Sequence, residues 1–358
     1  MNAANAYSLA AALLSVAVLS HPTSPVRADE LVTAQRSGCS HLRYFAVPIA
    51  ARDGAQLFAN DLNNKGEVVG NFSREGTVEA FLWKDGRYVA LGDRILAGAL
   101  QTTASAINDR TQVIGDLVAP DFSQPAYLLD RRGVTYLIDL FSVPQEINDR
   151  GEIASMAISD GLLHGAVWRN GETVLLPMAP GHVSVNTKDI NNKGTVVGSG
   201  GGTEGNAEAL VWFAPYTTAP TVIPLPPDAV SSPGVDGVNN RDQVIFSVGL
   251  ASGFTRGYVW SADRPLRVLE PLPGFVHSVA SDINTAGLIV GLSVAESGES
   301  TTATVWRGGQ TCELGDLVRR PGQGQWINAS RVNERGEILA FLSPSPVGAG
   351  WFVLRPRD

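Results

Sequence analysis

Three short segments of the sequence place oxygen-bearing side chains in the order that opens a calcium-binding loop. Each has an Asp, an Asn two residues later and a Gly after three more, as in Asp61, Asn63 and Gly66. Calcium takes six to eight oxygen ligands, including a late bidentate carboxylate. Here the fifth position is a lysine in two segments, and apolar residues follow. We therefore predict no metal site. Instead, the Asn side chain forms an Asx turn and the Gly takes a positive φ angle.

The sequence carries no motif of a catalytic or cofactor site. It has no nucleophile elbow, HExxH pair, P-loop or CxxC motif. Gly200, Gly202 and Gly205 have the spacing of a dinucleotide fingerprint. Strands are predicted on both sides of them, so no helix N-terminus is available to hold a pyrophosphate. We expect no cofactor and assign no catalytic residue.

An internal repeat organises almost everything after residue 57. Its first phrase leads from a polar residue through an Asn and a turn into an apolar strand, as in DLNNKGEVVG at 61–70. Seven copies occur, separated by 45, 40, 43, 48, 45 and 49 residues. We number the repeats one to seven by their asparagines: Asn63, Asn108, Asn148, Asn191, Asn239, Asn284 and Asn333.

Each repeat predicts four short strands. A second phrase ends 20 to 22 residues after the Asn, at Leu129 in repeat two, at Val353 in repeat seven and at Trp in the other five. A tight turn and another apolar stretch follow. Four antiparallel strands in about 45 residues make a propeller blade. We predict an all-β fold, a seven-bladed β-propeller of four-stranded antiparallel blades. Its blades would pack through the tryptophans at positions 83, 168, 212, 260 and 306.

The segment Tyr44–Ile49 is predicted to close the ring. The chain stops at Asp358, after the third strand of repeat seven, and this early segment would supply the missing outer strand. Cys39 and Cys312, the only cysteines, would then lie on neighbouring blades. We predict a disulfide between them, with two unpaired buried thiols as the alternative.

The N-terminus has the pattern of a signal peptide. An apolar run at 9–19 is too short to span a bilayer, and a small-residue cleavage signature ends at Ala28, although no Lys or Arg precedes the run. We predict a signal peptide at 1–28, a linker at 29–42 and one seven-bladed propeller domain at 43–358. The product would be exported, to the periplasm or the medium.

The repeat phrases also resemble a known family. An Asn-x-x-Gly turn, then Val-Val-Gly, then a small residue before aromatic-Leu-Trp, is similar to the HAF repeat of bacterial extracellular proteins. The resemblance covers about residues 57 to 358. Repeat two departs most, with Thr111 for the turn Gly and Leu129 for the Trp, and repeat five has Asp242 for that Gly. The resemblance implies export and repetition, and it implies no activity.

Two sets of residues are candidates for ligand binding. Turns between strands one and two, and three and four, are short and share one face, whereas the other connections vary and share the opposite face. Because function favours variable loops on a rigid scaffold, we predict His182, His277 and Trp326 on that second face as ligand-binding residues. Exposed loop residues without a role are the alternative.

The second set stands two residues before each Asn. These side chains could line a channel mouth or form ion pairs with neighbouring turns, and ion pairs are the favoured interpretation. The set is Asp61, Ala106, Glu146, Asp189, Gly237, Asp282 and Arg331.

The formal net charge of −8 argues against a sequence-independent grip on nucleic acid. We expect no nucleic-acid partner, no membrane span and a monomer. The leading interpretation is a secreted binding or scaffold module for an extracellular polymer such as a glycan, an envelope component or a protein partner. The first alternative is a carbohydrate-active enzyme, of glycoside hydrolase or polysaccharide lyase type, with an acid pair in the axial funnel. The second is a structural or adhesive surface protein.

Overall fold

A computed structural model describes residues 41–50, 55–137, 144–202, 205, 207–319, 324–344 and 350–357. The predicted signal peptide and Cys39 lie outside these residues. Export and the disulfide between Cys39 and Cys312 therefore stay predictions.

Strands make up nearly all of the regular secondary structure of the described residues. The N-terminal strand and repeat one contain β1 (Tyr44–Ile49), β2 (Gln56–Leu62), β3 (Val68–Arg74), β4 (Thr77–Lys84), β5 (Arg87–Ala90) and the helical turn α1 (Gly92–Ile95). Repeat two, whose first strand is split, contains β6 (Gln101–Thr102), β7 (Ala106–Ile107), β8 (Val113–Val118), β9 (Ala126–Asp130) and β10 (Gly133–Tyr136). Repeat three contains β11 (Glu146–Ile147), β12 (Ile153–Ser159), β13 (Leu162–Arg169) and β14 (Glu172–Leu175).

The remaining four repeats follow the same order. Repeat four contains β15 (Ser184–Ile190), β16 (Val196–Gly201), β17 (Glu208–Trp212) and β18 (Thr221–Val222). Repeat five contains β19 (Gly234–Val238), β20 (Val244–Gly249), β21 (Thr255–Ser261) and β22 (Arg264–Leu269). Repeat six contains β23 (His277–Ile283), β24 (Ile289–Val294), β25 (Thr301–Arg307), β26 (Gln310–Glu313) and the helical turn α2 (Leu314–Leu317), and repeat seven contains β27 (Gln325–Val332), β28 (Ile338–Ser343) and β29 (Trp351–Pro356).

Consecutive strands within a repeat pair antiparallel, so each repeat is a meander. The N-terminal strand joins the last repeat: β1 pairs antiparallel with β29, with Tyr44 opposite Pro356 and Ile49 opposite Trp351. The sheet of repeat seven therefore has the order β1-β29-β28-β27. The two helical turns of the described residues are far shorter than the roughly 20 residues that cross a bilayer, and neither could act as a membrane span.

The repeat asparagine shapes the turn after the first strand. The Oδ1 atom of Asn63 accepts hydrogen bonds from the backbone N–H groups of Lys65 and Glu67, both at 3.0 Å. Three residues after the Asn, Gly66 has a φ angle of +74°, and Thr111 and Asp242 hold +59° at the same place in repeats two and five. The predicted Asx turn is confirmed.

The other end of each asparagine amide reaches the next repeat. Its Nδ2 atom donates to the backbone carbonyl of the following repeat's Asn at 2.8–3.0 Å, and the last bond runs from Asn333 to Asn63 at 2.9 Å. We call these seven side chains the asparagine ring. Each is only 3–5% exposed, so the bonds are shielded from water and tie each turn to its neighbour.

Four repeats bring the second strand unusually close to the first. A Cβ atom on the glycine that follows two β-branched residues would lie 2.0–2.1 Å from a carbonyl oxygen of the first strand or of the residue next to it. The four pairs are Gly70 with Phe58, Gly115 with Thr103, Gly198 with Asn186 and Gly291 with Val279. No other residue fits there without moving the backbone, which explains the glycine.

The repeat tryptophans pack between neighbouring repeats, as the sequence predicts. Trp212 of repeat four lies in one buried cluster with residues of repeat three, and its Nε1 donates to the carbonyl of Pro177 at 2.8 Å. Trp306 makes the same bond to Glu270 at 2.7 Å. In repeat seven the alignment from the sequence is wrong by one residue. Leu354, not Val353, occupies the tryptophan position, because it is opposite Ile338 of β28 just as Trp83 is opposite Val68 of β3.

We expect Asn284→Asp to lower the free energy of unfolding by about 1–3 kcal/mol, because the carbonyl of Asn333 loses its buried donor. The Oδ1 acceptor for Leu288 is kept, so the turn itself is spared. The control is Asn186→Asp at an exposed position of β15, which should stay within about 0.5 kcal/mol of the wild type. Urea unfolding of the wild type and the two variants measures both changes in the free energy of unfolding. Equal stabilities would mean that the asparagine ring contributes nothing.

We expect Gly291→Ala to lower the free energy of unfolding by about 1–3 kcal/mol, because its Cβ would lie 2.1 Å from the carbonyl oxygen of Val279. Gly234→Ala is the matched control, since its nearest atom would be the Ser247 oxygen at 3.8 Å. Thermal unfolding of both variants tests the pair. If the two alanines cost the same, the close strand approach is not the reason for the glycine.

Candidate functional site: an acidic central cavity

Residues of all seven repeats line a central cavity of about 170 Å³. The lining consists of the ends of the first strands and the asparagine turns that follow them. The cavity therefore lies on the face that carries these short turns. The sequence analysis favoured a ligand on the opposite face.

Carboxylates in the cavity are held by backbone N–H groups. Three of the acids that stand two residues before an Asn accept a hydrogen bond from the next repeat: Asp61 from Ile107 at 2.8 Å, Asp189 from Val238 at 2.7 Å and Asp282 from Val332 at 2.8 Å. Glu146 instead accepts from the N–H of Ile147 at 3.0 Å. The favoured ion-pair interpretation is thus incomplete. These acids do line the centre, and their main partners are backbone donors.

Arg331 is the cation within this set. Its Nε lies 3.3 Å from Oδ1 of Asp61, and Asp61 is only 7% exposed. Lys188 and Asp236 also line the cavity. Neither residue is among the candidates predicted from the sequence, because a bulge in the first strand turns the residue three before the Asn toward the centre. That position is polar in every repeat, a signal that would have revealed it: Asn60, Ser105, Gln145, Lys188, Asp236, Ser281 and Ser330.

Burial raises the pKa values of the carboxyl groups in the cavity. Desolvation outweighs Arg331 and raises the pKa of Asp236 and of Asp282 to about 7 each. Desolvation and the charges of Asp61 and Asp189 hold the pKa of Glu146 well above its usual value. Burial alone would lower the pKa of Arg331, but the surrounding carboxylates raise it further above its ordinary range. The cavity therefore holds a permanent cation among acids that retain protons near neutral pH.

A second ring forms the mouth of the cavity. It consists of the residue after each repeat asparagine, and we call it the mouth ring. Most members accept the backbone N–H of the preceding one: Asn64 N–H to Asp109 at 2.7 Å, Asp109 to Asp149 at 2.8 Å, Asp149 to Asn192 at 2.7 Å, Asn192 to Asn240 at 2.8 Å, Thr285 to Glu334 at 3.0 Å and Glu334 to Asn64 at 2.6 Å. The mouth ring contains three acids and no cation.

The geometry suits an ion-pairing site better than a metal site. Among the residues that the structure describes, no group of three or more His, Cys, Asp or Glu side chains could hold a metal ion. The carboxylates are spread around the cavity, one or two to a repeat, and point their oxygens at backbone donors. What the cavity offers a ligand is a narrow polar hole whose potential becomes negative as its carboxyl groups ionise.

The three ligand-binding candidates from the sequence lie in three different repeats. His182 precedes β15 and its Nε2 lies 3.0 Å from Oε2 of Glu208. His277 begins β23, accepts the Thr255 N–H at 2.9 Å, and burial lowers its pKa. Trp326 is 2% exposed and packs edge-to-face on Phe352 at 5.2 Å. The described contacts do not bring the three together, and their role in binding stays a prediction.

No protein-family model matches the chain, and no curated protein matches it either. Solved structures do match. The β-propeller domain of the Trilobed protease from Pyrococcus furiosus, which has an open velcro topology, is 9% identical with a TM-score of 0.57. That match covers 87% of this chain and 96% of that chain.

Two peptidases match as well. A prolyl endopeptidase is 10% identical with a TM-score of 0.58, covering 85% of this chain and 50% of that one. A puromycin-hydrolyzing peptidase of Mycobacterium tuberculosis is 12% identical with a TM-score of 0.55, covering 84% and 53%. The chain spans about half the length of each peptidase. At these identities the similarity is one of fold: the chain is an all-β protein with the β-propeller fold.

Proposed function

We propose that the protein is an exported seven-bladed β-propeller closed by its N-terminal strand, with repeats of the HAF type. The asparagine ring supports seven blades, because six bonds link successive repeats and a seventh returns from the last repeat to the first. The pairing of β1 with β29 supports the closing strand. The apolar run at 9–19 and the signature at Ala28 support export.

We further propose that this propeller is a binding module whose central cavity receives one cationic group, a primary ammonium or guanidinium, carried by a protein or polymer partner. The observation that carries this proposal is the charge at the centre. Asp61, Glu146, Asp189, Asp236 and Asp282 line the cavity with two cations, and three further acids stand in the mouth ring. When all eight acids are ionised, they outnumber the two cations by six charges.

The size of the cavity supports a side chain rather than a whole molecule as ligand. Pockets for drug-sized ligands measure about 300–1,000 Å³, whereas this cavity measures about 170 Å³. One extended Lys-like or Arg-like group, entering through the mouth ring, would replace water and meet carboxylates. The partner's remaining surface would then rest on the turns around the mouth.

A carbohydrate-active enzyme is the second candidate, favoured by the raised pKa values of Asp236 and Asp282, to about 7 each. A general acid works best with a pKa near the operating pH. Two features argue against it. Both oxygens of Asp282 accept backbone N–H groups, at 2.7 and 2.8 Å, and the cavity is small for a sugar ring flanked by two carboxyls.

We expect a blocked tripeptide with a central lysine to bind to the protein, and its Nε-acetylated form not to bind. The double variant Asp149→Asn/Glu334→Gln should weaken binding about threefold or more, because two mouth charges are lost. Binding should also be tighter at pH 8 than at pH 5.5, since Asp236 and Asp282 titrate at about pH 7. Chemical-shift titration measures all three effects.

The matched control for this experiment is Glu172→Gln/Glu299→Gln, which removes two exposed charges that belong neither to the mouth ring nor to the lining of the cavity. If both double variants weaken binding equally, only the net charge of the protein matters and the central site is refuted. Binding of the acetylated peptide with unchanged affinity would refute it too.

We expect the free energy of unfolding to fall as pH rises from about 4 to 7. The pKa of Asp236 in the folded protein, about 7, exceeds the value near 3.9 of an unfolded Asp, so the folded state holds a proton that the unfolded state has lost. Asp236→Asn should make this fall shallower. Asp263→Asn, whose side chain is 79% exposed, should leave it unchanged. Urea unfolding at pH 5, 6 and 7.5 tests this, and identical slopes for all three proteins would contradict it.

A further inference from the structure

A second cavity, of about 490 Å³, lies between repeats one and two. Its apolar wall is formed by Leu82 and Leu91 of repeat one and by Val113 and Leu129 of repeat two. This volume is within the range of about 300–1,000 Å³ that small-molecule sites occupy. We call it the Leu129 cleft.

Leu129 stands where five other repeats have tryptophan. In repeats four and six the indole packs against three apolar residues of the preceding repeat, and in repeat two Leu129 meets the corresponding three. The sets are Ala154, Val167 and Leu176 for Trp212; Ile245, Val259 and Leu269 for Trp306; and Val69, Leu82 and Leu91 for Leu129. The four-carbon side chain leaves unfilled the part of the slot that an indole ring occupies elsewhere.

The local reason for the exchange is the helical turn after Leu91. The carbonyl that accepts the indole N–H belongs to the residue after the outer-strand leucine, Pro177 or Glu270. The corresponding carbonyl of repeat one is that of Gly92, the first residue of α1, which instead accepts the N–H of Leu96, the residue after α1, at 3.0 Å. The slot is thus apolar and holds no tryptophan side chain. Leu82 lies at its edge and is 8% exposed.

The rim of the Leu129 cleft is basic, although the whole chain bears a net charge of −8. Five cations and three carboxylates line it. Two of these carboxylates are already engaged: Glu67 pairs with Lys84 at 2.7 Å, and Asp109 accepts from Asn64 at 2.7 Å. Three exposed arginines, Arg94, Arg110 and Arg131, have no ion-pair partner among the described residues.

We propose that the Leu129 cleft binds a planar aromatic anion, a bicyclic ring of indole size that carries a carboxylate or sulfonate. The ring takes the part of the slot that tryptophan fills in other repeats, between Leu82 and Leu129. The anionic group meets Arg94 and Arg131 at the rim, where a guanidinium can hold an oxyanion through two parallel hydrogen bonds. This site shares only Asp109 with the lining of the central cavity and has the opposite charge preference.

The probe is indole-3-acetate, with indole and tryptamine as uncharged and cationic counterparts, titrated into the full-length protein by calorimetry. We expect indole-3-acetate to bind about tenfold or more tightly than either counterpart. Leu129→Trp places in the slot the residue that five repeats use, and it should abolish binding of the anion. Indole-3-acetate binding to this variant with wild-type affinity would overturn the proposal, as would equal binding of all three probes or of none to the wild type.

A charge-reversal variant keeps the test sharp if Leu129→Trp fails to fold. Arg94→Glu/Arg131→Glu changes only exposed side chains, and it should reverse the preference from indole-3-acetate to tryptamine. Its control, Arg241→Glu/Arg264→Glu, makes the same change in net charge on exposed turns of repeat five, next to a slot that Trp306 fills. An equal loss of anion binding in both variants would refute the Leu129 cleft as the binding site.

Discussion

One side chain amide, repeated seven times, carries the organisation of this molecule. An asparagine is suited to the place because its oxygen and its nitrogen can be used at once. The oxygen accepts backbone N–H groups of its own turn, and the nitrogen donates to the neighbouring turn. Neither aspartate nor serine could do both, since the first has no donor and the second has a single short hydroxyl. Local turn geometry and contact between repeats therefore depend on the same group.

The charged centre is a consequence of this arrangement. Where first strands converge, the N–H of the residue before each Asn faces inward, and in three places an acid of the preceding repeat accepts it. The acids thus have a structural task, and their desolvation raises their pKa values. Once ionised, such acids would attract a cation whether or not selection acted on binding. The function we propose uses a property that the packing of the first strands already creates.

Much of the fold could be read from the sequence because its determinants are local. The Asn turn, the positive φ angle three residues later and the four-strand phrase depend on neighbours in the chain, and repetition made each visible seven times. The site could be read less well. Bulges decide that Lys188 and Asp236 face the centre, and a bulge leaves no mark in composition. The register of repeat seven failed for a related reason, since Phe352, Val353 and Leu354 are all apolar and any could take the tryptophan's place.

The pairing of β1 with β29 has a mechanical consequence. The two strands are antiparallel, and Tyr44, near one end of the chain, is opposite Pro356, near the other. Residues 43 and 357 leave the pair at the same end, so tension between them would break the backbone hydrogen bonds of the pair one after another. Tension along the strands would instead strain all of these bonds at once. This pair of strands would therefore part under smaller forces than a sheared pair, while the asparagine amides still held the neighbouring turns together.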